Sequence, residues 1–575
     1  MIRIPFIVAV AAAFSRGALA AFGLTSSSTS YTVDTGGDLV YVISKSTGDI
    51  TSLKYKGVEY QGTAKNTAIN SGLGSSTVTG ETVNGYIKIT VASSGNPVTQ
   101  YFVAKNGDPT IYMGTYITGE VDPGELRWLA RLRTNLLPTG VHGNVGDTRG
   151  CTAFEGKDTF KCSNGETRCK MYTSDRFIDD QVHCVTGSNV ALCMIMPGVA
   201  YETSSGGPFM RDINGQTSDD EQELYWYMNS GHVRTEAWRF GLMGPYARIA
   251  ICVSYSLLEP KLFVELQFFR QALGRCDVYV STFRSTSYQY LLIICTSSNG
   301  GTPSANLDTS FFESLNIKGY VPSSQRGSVS GTASGVPSNF KSVVHWYNSQ
   351  AQYWTYADST TGAYKSPLMK PGAYTMKLYK GEYEVSSDSV TVTAGGAATK
   401  NIASKEAQRT PIFRIGEFDG EPFDLKNGDK ITRMHPSDTR MSSWSGTYTV
   451  GSSSANAFPM AIWSKQGSPA TINFDLASSQ VKELTLHIGT TLSFKGGRPI
   501  PKIGSWTGSD PGAPKLIDSR GVTRGAYHGY NEQYTWSVPA SALKAGANTL
   551  TISVGGSGDA TWLSANFIFD AVELY

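Results

Sequence analysis

The sequence predicts an all-β protein that is divided into β-rich domains. It has 61 glycines and 30 tyrosines among 575 residues, and only 17% of its residues are charged. Short β-branched and aromatic runs alternate with polar turns, as in residues 86–91 (YIKITV) and 93–97 (SSGNP). Because this length exceeds what one hydrophobic core serves, we expect two or three domains.

Residues 1–20 are predicted to be a secretory signal peptide. Arg3 precedes an apolar run over residues 4–14, and small residues follow up to Ala20. The apolar run is shorter than the roughly 20 residues that a membrane-spanning helix needs. We therefore expect a secreted, extracellular protein without a membrane anchor, whose fold begins at residue 21.

Residues 21–300 are predicted to form a large β-sandwich catalytic domain, since strand follows strand to about Ala247. Residues 248–298 depart from this pattern. They are hydrophobic, hold three of the eight cysteines and lack the turn spacing seen elsewhere. Our hypothesis is that this anomalous insertion is a translated intron or a gene-model error rather than a working element. Sequencing the spliced transcript tests it, and a message that encodes the segment would contradict it.

The remaining chain predicts two smaller β domains. Residues 301–404 include alternating runs such as 343–347 (VVHWY), which favour a fibronectin III-like sandwich. Residues 405–575 end in a long apolar strand near residues 566–574, which is typical of a jelly roll. Jelly rolls are common among carbohydrate-binding domains, so we expect a carbohydrate-binding-like domain at this end.

The overall charge excludes some partners. The formal net charge is +2, so no global field attracts nucleic acid, and an acidic ligand must be met by a local cluster. The sequence also shows no P-loop, no dinucleotide-binding fingerprint and no G-x-S-x-G motif. Nucleotide-dependent and serine-hydrolase chemistry are therefore not indicated.

Five of the eight cysteines fall close together, at Cys151, Cys162, Cys169, Cys184 and Cys193. An oxidising compartment permits disulfide bonds among them. Because five is odd, at least one has no partner within the group, and the spacing does not fix the connectivity. A zinc site is the alternative, although the paired C-x-x-C spacing of such sites is missing.

An arginine-rich strand is predicted over residues 125–133 (ELRWLARLR). Alternation places Leu126, Trp128, Ala130 and Leu132 on a buried face and Arg127, Arg131 and Arg133 on the other. Clustered guanidinium groups suit an anionic partner such as a carboxylate. Alternatively, acidic residues of a neighbouring strand pair with them.

A tyrosine-rich strand is predicted over residues 223–229 (ELYWYMN). Alternation groups Glu223, Tyr225, Tyr227 and Asn229 on one face. Exposed tyrosines on a rigid sheet form a sugar-binding surface, although they could instead pack under a covering loop. His232 follows at a loop or strand edge, where it is either structural or catalytic.

Several motifs resemble those of the fungal rhamnogalacturonan lyases, polysaccharide lyase family four. They are spread over most of residues 21–575, and only residues 248–298 depart clearly. The motifs are residues 200–209 (AYETSSGGPF), 228–238 (MNSGHVRTEAW), 433–438 (RMHPSD), 488–494 (IGTTLSF), 518–525 (DSRGVTRG) and the closing strand.

This resemblance implies cleavage of the rhamnose-galacturonic acid backbone of pectin by β-elimination, which leaves an unsaturated uronic acid. It also implies a catalytic lysine and histidine. The lysine motif corresponds to residues 164–170 (NGETRCK), so Lys170 takes that role, and His232 takes the other. The implied substrate-binding residues are Arg127, Arg131, Tyr225, Tyr227, Arg520 and Arg524.

The chemistry is consistent with these residue types. Removing the C5 proton of a galacturonic acid requires neutralisation of its carboxylate, which arginines can provide. A base then takes the proton, and an acid protonates the departing oxygen. Nearby arginines would lower the pKa of a lysine from about 10.4. We assign Lys170 as base and His232 as acid, while the reverse stays open, as does a solvated Lys170 without a role.

By this resemblance, catalysis needs no metal, and a structural calcium in the last domain is allowed. The expected partner is an acidic polysaccharide, rhamnogalacturonan I, bound by a monomer. Two rival functions remain. A glycoside hydrolase would need two carboxylates, for which Glu202, Asp212, Glu223 and Glu236 are available. A non-catalytic carbohydrate-binding protein, or a lyase disabled by the inserted segment, would cut nothing.

Overall fold

The computed structural model describes residues 21–252 except 189, the strands Tyr255–Leu258, Asp277–Ser285 and Tyr288–Thr296, and residues 303–575 except 559 and 560. The predicted signal peptide lies outside these residues. The regular elements of the described residues are β-strands and single 3₁₀ turns, which confirms the all-β prediction. The 3₁₀ turns are Lys170–Thr173, Ser310–Leu315, Ser323–Gln325, Ala455–Ala457, Ser478–Gln480, Gly521–Arg524 and Ala540–Ala542.

The first unit contains nineteen strands among the residues described. They are β1 Gly23–Ser26, β2 Ser30–Asp34, β3 Leu39–Ser44, β4 Ile50–Tyr55, β5 Val58–Glu59, β6 Ala68–Ile69, β7 Ser76–Val83, β8 Tyr86–Ser93, β9 Val98–Ala104, β10 Thr110–Ile117, β11 Glu125–Leu132, β12 Cys151–Glu155, β13 Thr159–Cys162, β14 Thr167–Cys169, β15 Val182–Thr186, β16 Val190–Ile195, β17 Gly215–Thr217, β18 Gln222–Ser230 and β19 Gly241–Cys252.

These strands form layered sheets around a buried aromatic core. A seven-stranded sheet has the order β15-β16-β19-β10-β9-β8-β7, and a four-stranded sheet has the order β17-β18-β11-β6. Trp226 of β18 packs on Tyr246 of β19 with ring centroids 4.3 Å apart, which joins the two sheets. Strands β12–β14 form a small separate sheet. The predicted large β-sandwich is therefore present.

The first residues of the predicted anomalous segment belong to the seven-stranded sheet. β19 continues to Cys252, which lies opposite Val190 of β16. Beyond it, β20 Tyr255–Leu258, β21 Asp277–Ser285 and β22 Tyr288–Thr296 form a separate sheet of order β20-β22-β21. Much of residues 248–298 lies outside the described residues, so the intron hypothesis stays a prediction. Within the described part of the chain, no helix is long and apolar enough to cross a membrane.

The second unit is a small sandwich with its own core. Its strands are β23 Ser328–Ser334, β24 Ser342–Tyr347, β25 Gln352–Tyr356, β26 Ala363–Lys365, β27 Gly372–Lys380, β28 Tyr383–Val392, β29 Ala397–Thr399 and β30 Ile402–Ala403. One sheet has the order β25-β24-β27-β28, and β23 pairs with β26, β29 and β30 in the other. Phe311, Phe312 and Ile317, which precede these strands, pack against the seven-stranded sheet of the first unit.

The third unit is a sandwich of two five-stranded sheets, as the jelly-roll prediction requires. Its strands are β31 Phe413–Gly416, β32 Thr447–Thr449, β33 Ala461–Trp463, β34 Ala470–Leu476, β35 Leu484–Phe494, β36 Arg498–Ile503, β37 Trp506–Thr507, β38 Glu532–Val538, β39 Gly546–Gly555 and β40 Asn566–Leu574. β40 is the central strand of one sheet, and the whole strand is buried.

Buried ion pairs join the three units. Arg176 of the first unit contacts Glu382 of the second at 2.5 Å and Glu421 of the third at 2.8 Å. Arg326, beside the second unit, contacts the buried Glu202 of the first at 2.7 Å. The hydrophobic core of the first unit continues into that of the third. The units therefore meet through packed rather than loosely tethered surfaces.

Candidate active site

The arginine strand and the tyrosine strand are neighbours. β11 pairs with β18 in antiparallel fashion, with Arg127 opposite Tyr227 and Leu126 opposite Asn229. Met228 has no partner in this register, so it forms a β-bulge that shifts the alternation of β18. The prediction that Asn229 shares the face of the tyrosines was therefore wrong. Instead, the bulge places Ser230 opposite Glu125, at the end of the strand that leads to His232.

The two tyrosines are buried rather than exposed. Tyr225 is 5% exposed and Tyr227 is 2% exposed, so of the two alternatives for this face, packing under a cover is the one observed. The reason is that charged neighbours cover them. Arg127 lies over the Tyr227 ring at 5.4 Å and donates a hydrogen bond to its hydroxyl, and the Tyr225 hydroxyl donates to Glu223.

The strand arginines already have acidic partners. Arg127 pairs with Glu125 on its own strand. Arg131 lies 3.7 Å from both Glu221 and Glu223 on and beside β18. Of the two interpretations of this face, pairing with nearby carboxylates is the one observed for Arg127 and Arg131. Arg133 donates instead to the backbone carbonyl of Gln61 at 3.1 Å.

His232 lies beside this face between two carboxylates. Its Nε2 is 2.8 Å from Glu125, and its Nδ1 is 3.1 Å from Asp212, whose side chain is fully buried. The charge of Asp212 is the largest cause that raises the pKa of His232 to about 10, although burial opposes this shift. His232 is therefore an imidazolium at neutral pH, with both ring nitrogens donating.

Lys170 belongs to a second cluster, which forms between the first and third units. It begins the 3₁₀ turn after β14, and its Nζ is 3.1 Å from Asp158. Arg524 and Arg520 contact the same carboxylate at 2.6 and 3.4 Å. Burial alone would raise the pKa of Asp158, but Lys170 and the two arginines hold it below its usual value. Three cations share Asp158, and Arg520 also lies 3.3 Å from Glu155, so three cations and two carboxylates leave an excess of one positive charge.

A cross-linked hairpin positions Asp158. The disulfide Cys151–Cys162 joins β12 to β13, and Asp158 lies in the turn between these strands. Glu155 in the same hairpin contacts His435 of the third unit at 2.9 Å and accepts a hydrogen bond from Thr523 at 2.7 Å. The third unit therefore holds the hairpin in place from outside the first unit.

The two clusters are connected through the backbone. Thr173, three residues after Lys170, accepts hydrogen bonds from the backbone NH groups of Asn214 and Gly215 at 3.1 and 3.0 Å. These residues follow Asp212, the partner of His232, by two and three positions. The 3₁₀ turn that carries Lys170 thus packs on the segment that holds His232.

Sequence reasoning missed the acidic members of the site. Asp158 received no role, and Asp212 was weighed only as a hydrolase carboxylate. The one available signal was Glu125, which lies two positions from Arg127 and so shares its strand face. No local pattern indicated Asp158, because its partners are 12 to more than 360 residues away along the chain.

The cysteine cluster forms disulfide bonds, as predicted. Cys151 pairs with Cys162, and Cys184 pairs with Cys193 across β15 and β16. Cys169 is a free, buried thiol next to Lys170. The four paired cysteines are consequently committed to cross-links rather than to zinc.

The third unit contains a buried pair of carboxylates, although no group of three or more His, Cys, Asp or Glu side chains that could hold a metal ion occurs among the described residues. The Oδ2 atom of Asp570 has no hydrogen-bond partner among the described residues, and burial raises the pKa of this carboxyl well above its usual value. Asp419 lies close by, and burial followed by the charge of Asp570 raises its pKa to about 9. A bound cation would neutralise both groups, and oxygen ligands of this kind suit calcium.

Three family profiles cover nearly all of the chain. "Rhamnogalacturonan lyase B, N-terminal" matches residues 22–272, and "Polysaccharide lyase family 4, domain II" and "domain III" match residues 325–400 and 411–574. The chain is 49% identical to rhamnogalacturonate lyase A of Emericella nidulans over 580 residues, covering 100% of both chains. It is 49% identical to rhamnogalacturonate lyase A of Aspergillus aculeatus over 562 residues, covering 97% of this chain and 96% of that one. These matches, together with the three-unit β architecture, place the chain in the rhamnogalacturonan lyases of polysaccharide lyase family four.

Proposed function

We propose that this polysaccharide lyase cleaves the bond between rhamnose and C4 of galacturonic acid in rhamnogalacturonan I by β-elimination. The observation that carries this proposal is the sharing of Asp158 by Lys170, Arg520 and Arg524. The excess positive charge suits the carboxylate of a galacturonic acid, and bidentate arginines are the side chains best adapted to it.

Lys170 is the base in this proposal, so it must give up its own proton before it accepts the C5 proton of the substrate. Removal of the C5 proton forms a negatively charged intermediate, and positive charges fixed near the uronic carboxylate stabilise it. Arg520 and Arg524 contact the same aspartate as Lys170 does. The two arginines would therefore bind the carboxylate of the substrate while Lys170 lies close to its C5 proton. Arg127 would orient the polysaccharide through its other polar groups. The buried Arg131, Tyr225 and Tyr227 would support this face from beneath, since Tyr227 accepts a hydrogen bond from Arg127 and Tyr225 donates one to Glu223.

His232 is the acid. A group whose pKa is raised to about 10 carries its proton at neutral pH and is unsuited to act as a base there. In the free enzyme, the Nε2 proton bonds Glu125 at 2.8 Å. The leaving oxygen of rhamnose must therefore take the place of Glu125 as acceptor, while Asp212 keeps the ring oriented through Nδ1.

We further propose that the protein is a secreted monomer and that catalysis requires no metal. The signal-like residues 1–20 and the two disulfide bonds support secretion. A cation held by Asp419 and Asp570 would belong to the third unit and stabilise its fold. No catalytic step depends on it.

The test follows ultraviolet absorbance when the mature protein is mixed with de-esterified rhamnogalacturonan, with and without a metal chelator. We expect absorbance to rise in both cases, because elimination creates an unsaturated uronic acid. Lys170→Ala should lower the rate by roughly 100- to 10,000-fold. Lys161→Ala is the matched control, since Lys161 is an exposed lysine of the same hairpin, and its rate should stay unchanged.

Other outcomes would contradict the proposal. Flat absorbance with new reducing ends would indicate hydrolysis, and flat absorbance without them would indicate a binding protein or a disabled chain. Hydrolysis is disfavoured because its candidate carboxylates are engaged. Glu202 is buried against Arg326 and Lys370, and Asp212 is buried against His232.

A further inference from the structure

A cavity of about 650 Å³ lies where the three units meet. Its walls include Phe209 and Glu236 from the first unit, Tyr347 from the second and Tyr530 from the third. Cavities that hold small ligands span roughly 300–1,000 Å³ and favour domain boundaries. Neither Lys170 nor His232 lines this cavity, so it is separate from the candidate active site.

One wall is the outer face of the second unit's main sheet. His345 and Tyr347 alternate along β24, and Lys377 of β27 lies opposite His345. The opposite face of this sheet, with Trp346 and Met376, forms the hydrophobic core of the unit. Aromatic residues on both faces of a strand indicate that the outer face is also covered or binds a ligand. His345 stacks on Tyr347 at 5.1 Å with 25° between the ring planes.

Further aromatic rings complete the walls. Phe209 meets Tyr379 edge to face at 5.0 Å. Tyr530 is 36% exposed, so its ring is accessible from the cavity. Such rings offer flat apolar faces with a polar tip, which is the combination that sugar rings require.

The charges around the cavity compensate one another. Each charged wall residue of the second unit and of the His232 loop has an opposite partner. The pairs are Lys377 with Glu384 at 2.8 Å, Glu236 with Arg239 at 2.8 Å, and Glu382 with both Arg176 at 2.5 Å and His528 at 2.9 Å. This balance contrasts with the excess positive charge around Lys170. The cavity therefore lacks a free cation of its own for a uronic acid.

Two buried polar atoms of the wall residues have neither a hydrogen-bond partner nor an ion-pair partner within the described residues. They are the Nε2 atom of His345 and the Oδ1 atom of Asn531. Buried polar atoms are normally hydrogen-bonded, and an exception calls for a ligand or water. Burial lowers the pKa of His345 well below its usual value, so its ring is neutral at physiological pH. Neutral polar atoms of this kind match hydroxyl groups.

The geometry points to a second carbohydrate-binding site in this cavity, which takes neutral sugar residues rather than uronic acids. Tyrosine rings would stack on the sugars, and His345 and Asn531 would hydrogen-bond their hydroxyl groups. This binding does not depend on the proposed elimination chemistry.

The position suggests how the site would serve the enzyme. Thr235 and Glu236 line the cavity and follow His232 by three and four residues in the same loop. A neutral branch attached to the polysaccharide near the cleaved bond would lie within reach of this loop. The cavity would then favour branched substrate over unbranched substrate.

The test is isothermal titration of the full chain with a neutral galactose tetrasaccharide. This probe contains no uronic acid and cannot be eliminated, so the result is independent of lyase activity. We expect the wild-type protein to bind this tetrasaccharide. Tyr347→Ala and Tyr530→Ala should each weaken the affinity about tenfold, because each removes one ring that stacks on a sugar. Tyr31→Ala is the matched control, because Tyr31 carries a lysine over its ring as Tyr530 does, and its affinity should equal that of the wild type.

Two results would overturn this inference. One is the absence of binding heat with the neutral tetrasaccharide. The other is unchanged affinity in both Tyr347→Ala and Tyr530→Ala, with each variant's thermal unfolding matching the wild type. Tetragalacturonate gives a further check, since its affinity should be the same in Tyr347→Ala as in the wild type.

Discussion

At the scale of single residues, the site depends on charges that are held in place by partners. His232 contacts Glu125 and Asp212, and Lys170 shares Asp158 with two arginines. Each of these three carboxylates is at least partly buried. Its attraction for its positively charged partner is therefore stronger than it would be in water. The catalytic side chains are consequently held in place before substrate arrives.

We expect His232 to titrate near pH 10. Nuclear magnetic resonance of protein with labelled histidine should show its ring protonated throughout the neutral range. Asp212→Asn should lower this pKa, because Asp212 is the largest cause of the shift. The His232→Gln variant assigns the signal. Titration of His232 near the ordinary value of 6.5 would contradict the proposed acid.

The same shift predicts a pH dependence of stability. The pKa of His232 rises from 6.5 in the unfolded chain to about 10 in the folded protein. The stability that it contributes is therefore fully present below pH 6.5 and is lost as the pH rises through about 10. His232→Gln should lower the melting temperature more at pH 6.5 than at pH 10. An equal loss at both pH values would argue against the shift.

Arg248 is a residue that the fold does not accommodate well. It is 2% exposed, its guanidinium nitrogens lack hydrogen-bond partners among the described residues, and it lies over Trp128 at 5.7 Å. Burial lowers its pKa to about 9. An unpaired buried charge is costly. Arg248 nevertheless lies within β19, opposite Ile111 of β10 and Met194 of β16.

Arg248→Met should therefore raise the free energy of unfolding, by about 1–4 kcal/mol. Differential scanning calorimetry measures the change. Arg239→Met is the control, because Arg239 is equally buried but fully paired, and its loss should destabilise the protein by about 3–5 kcal/mol. A lower melting temperature for Arg248→Met would show that the guanidinium has a partner.

At the scale of elements, the β12–β13 hairpin links the disulfide to the site. We expect Cys151→Ser with Cys162→Ser to destabilise the protein by about 2–4 kcal/mol and to lower kcat/KM strongly, because Asp158 loses its fixed position. The control removes Cys184 and Cys193, which close a loop of similar length without Asp158. It should cost similar stability and leave kcat/KM nearly unchanged. Equal losses of activity in both variants would contradict this role.

The sequence was sufficient to predict the elements but not all of their contacts. Alternation identified the buried face of β11, where Leu126, Trp128 and Leu132 are fully buried. Alternation predicted the wrong face for Asn229 of β18. The β-bulge at Met228 causes this shift, and a run of apolar and aromatic residues does not indicate where a bulge occurs. The roles of Lys170 and His232 came from family resemblance and stay predictions. Their acidic partners were beyond local patterns, since Asp158 meets Arg524 from another unit.

At the scale of the whole molecule, Arg176 connects all three units through Glu382 and Glu421. Removing one member of a buried ion pair leaves an uncompensated charge, at a cost of about 3–5 kcal/mol. Arg176→Ala should therefore split thermal unfolding into separate transitions in calorimetry. Arg498→Ala removes a partly exposed ion pair with Asp510. Its thermal unfolding should show the same transition as the wild type. Identical traces for both variants would mean that the units are coupled mainly by their shared core.

The central claim is that the enzyme breaks its substrate by elimination, and the fate of solvent oxygen tests it most directly. Rhamnogalacturonan is digested in water enriched in heavy oxygen, and the fragments are weighed by mass spectrometry. Elimination adds no water, so the account predicts fragments whose masses sum to that of the parent chain, apart from the oxygen exchange that an uncleaved reducing end also shows. Fragments whose masses sum to that of the parent chain plus one heavy water for each cleaved bond would contradict it and establish hydrolysis.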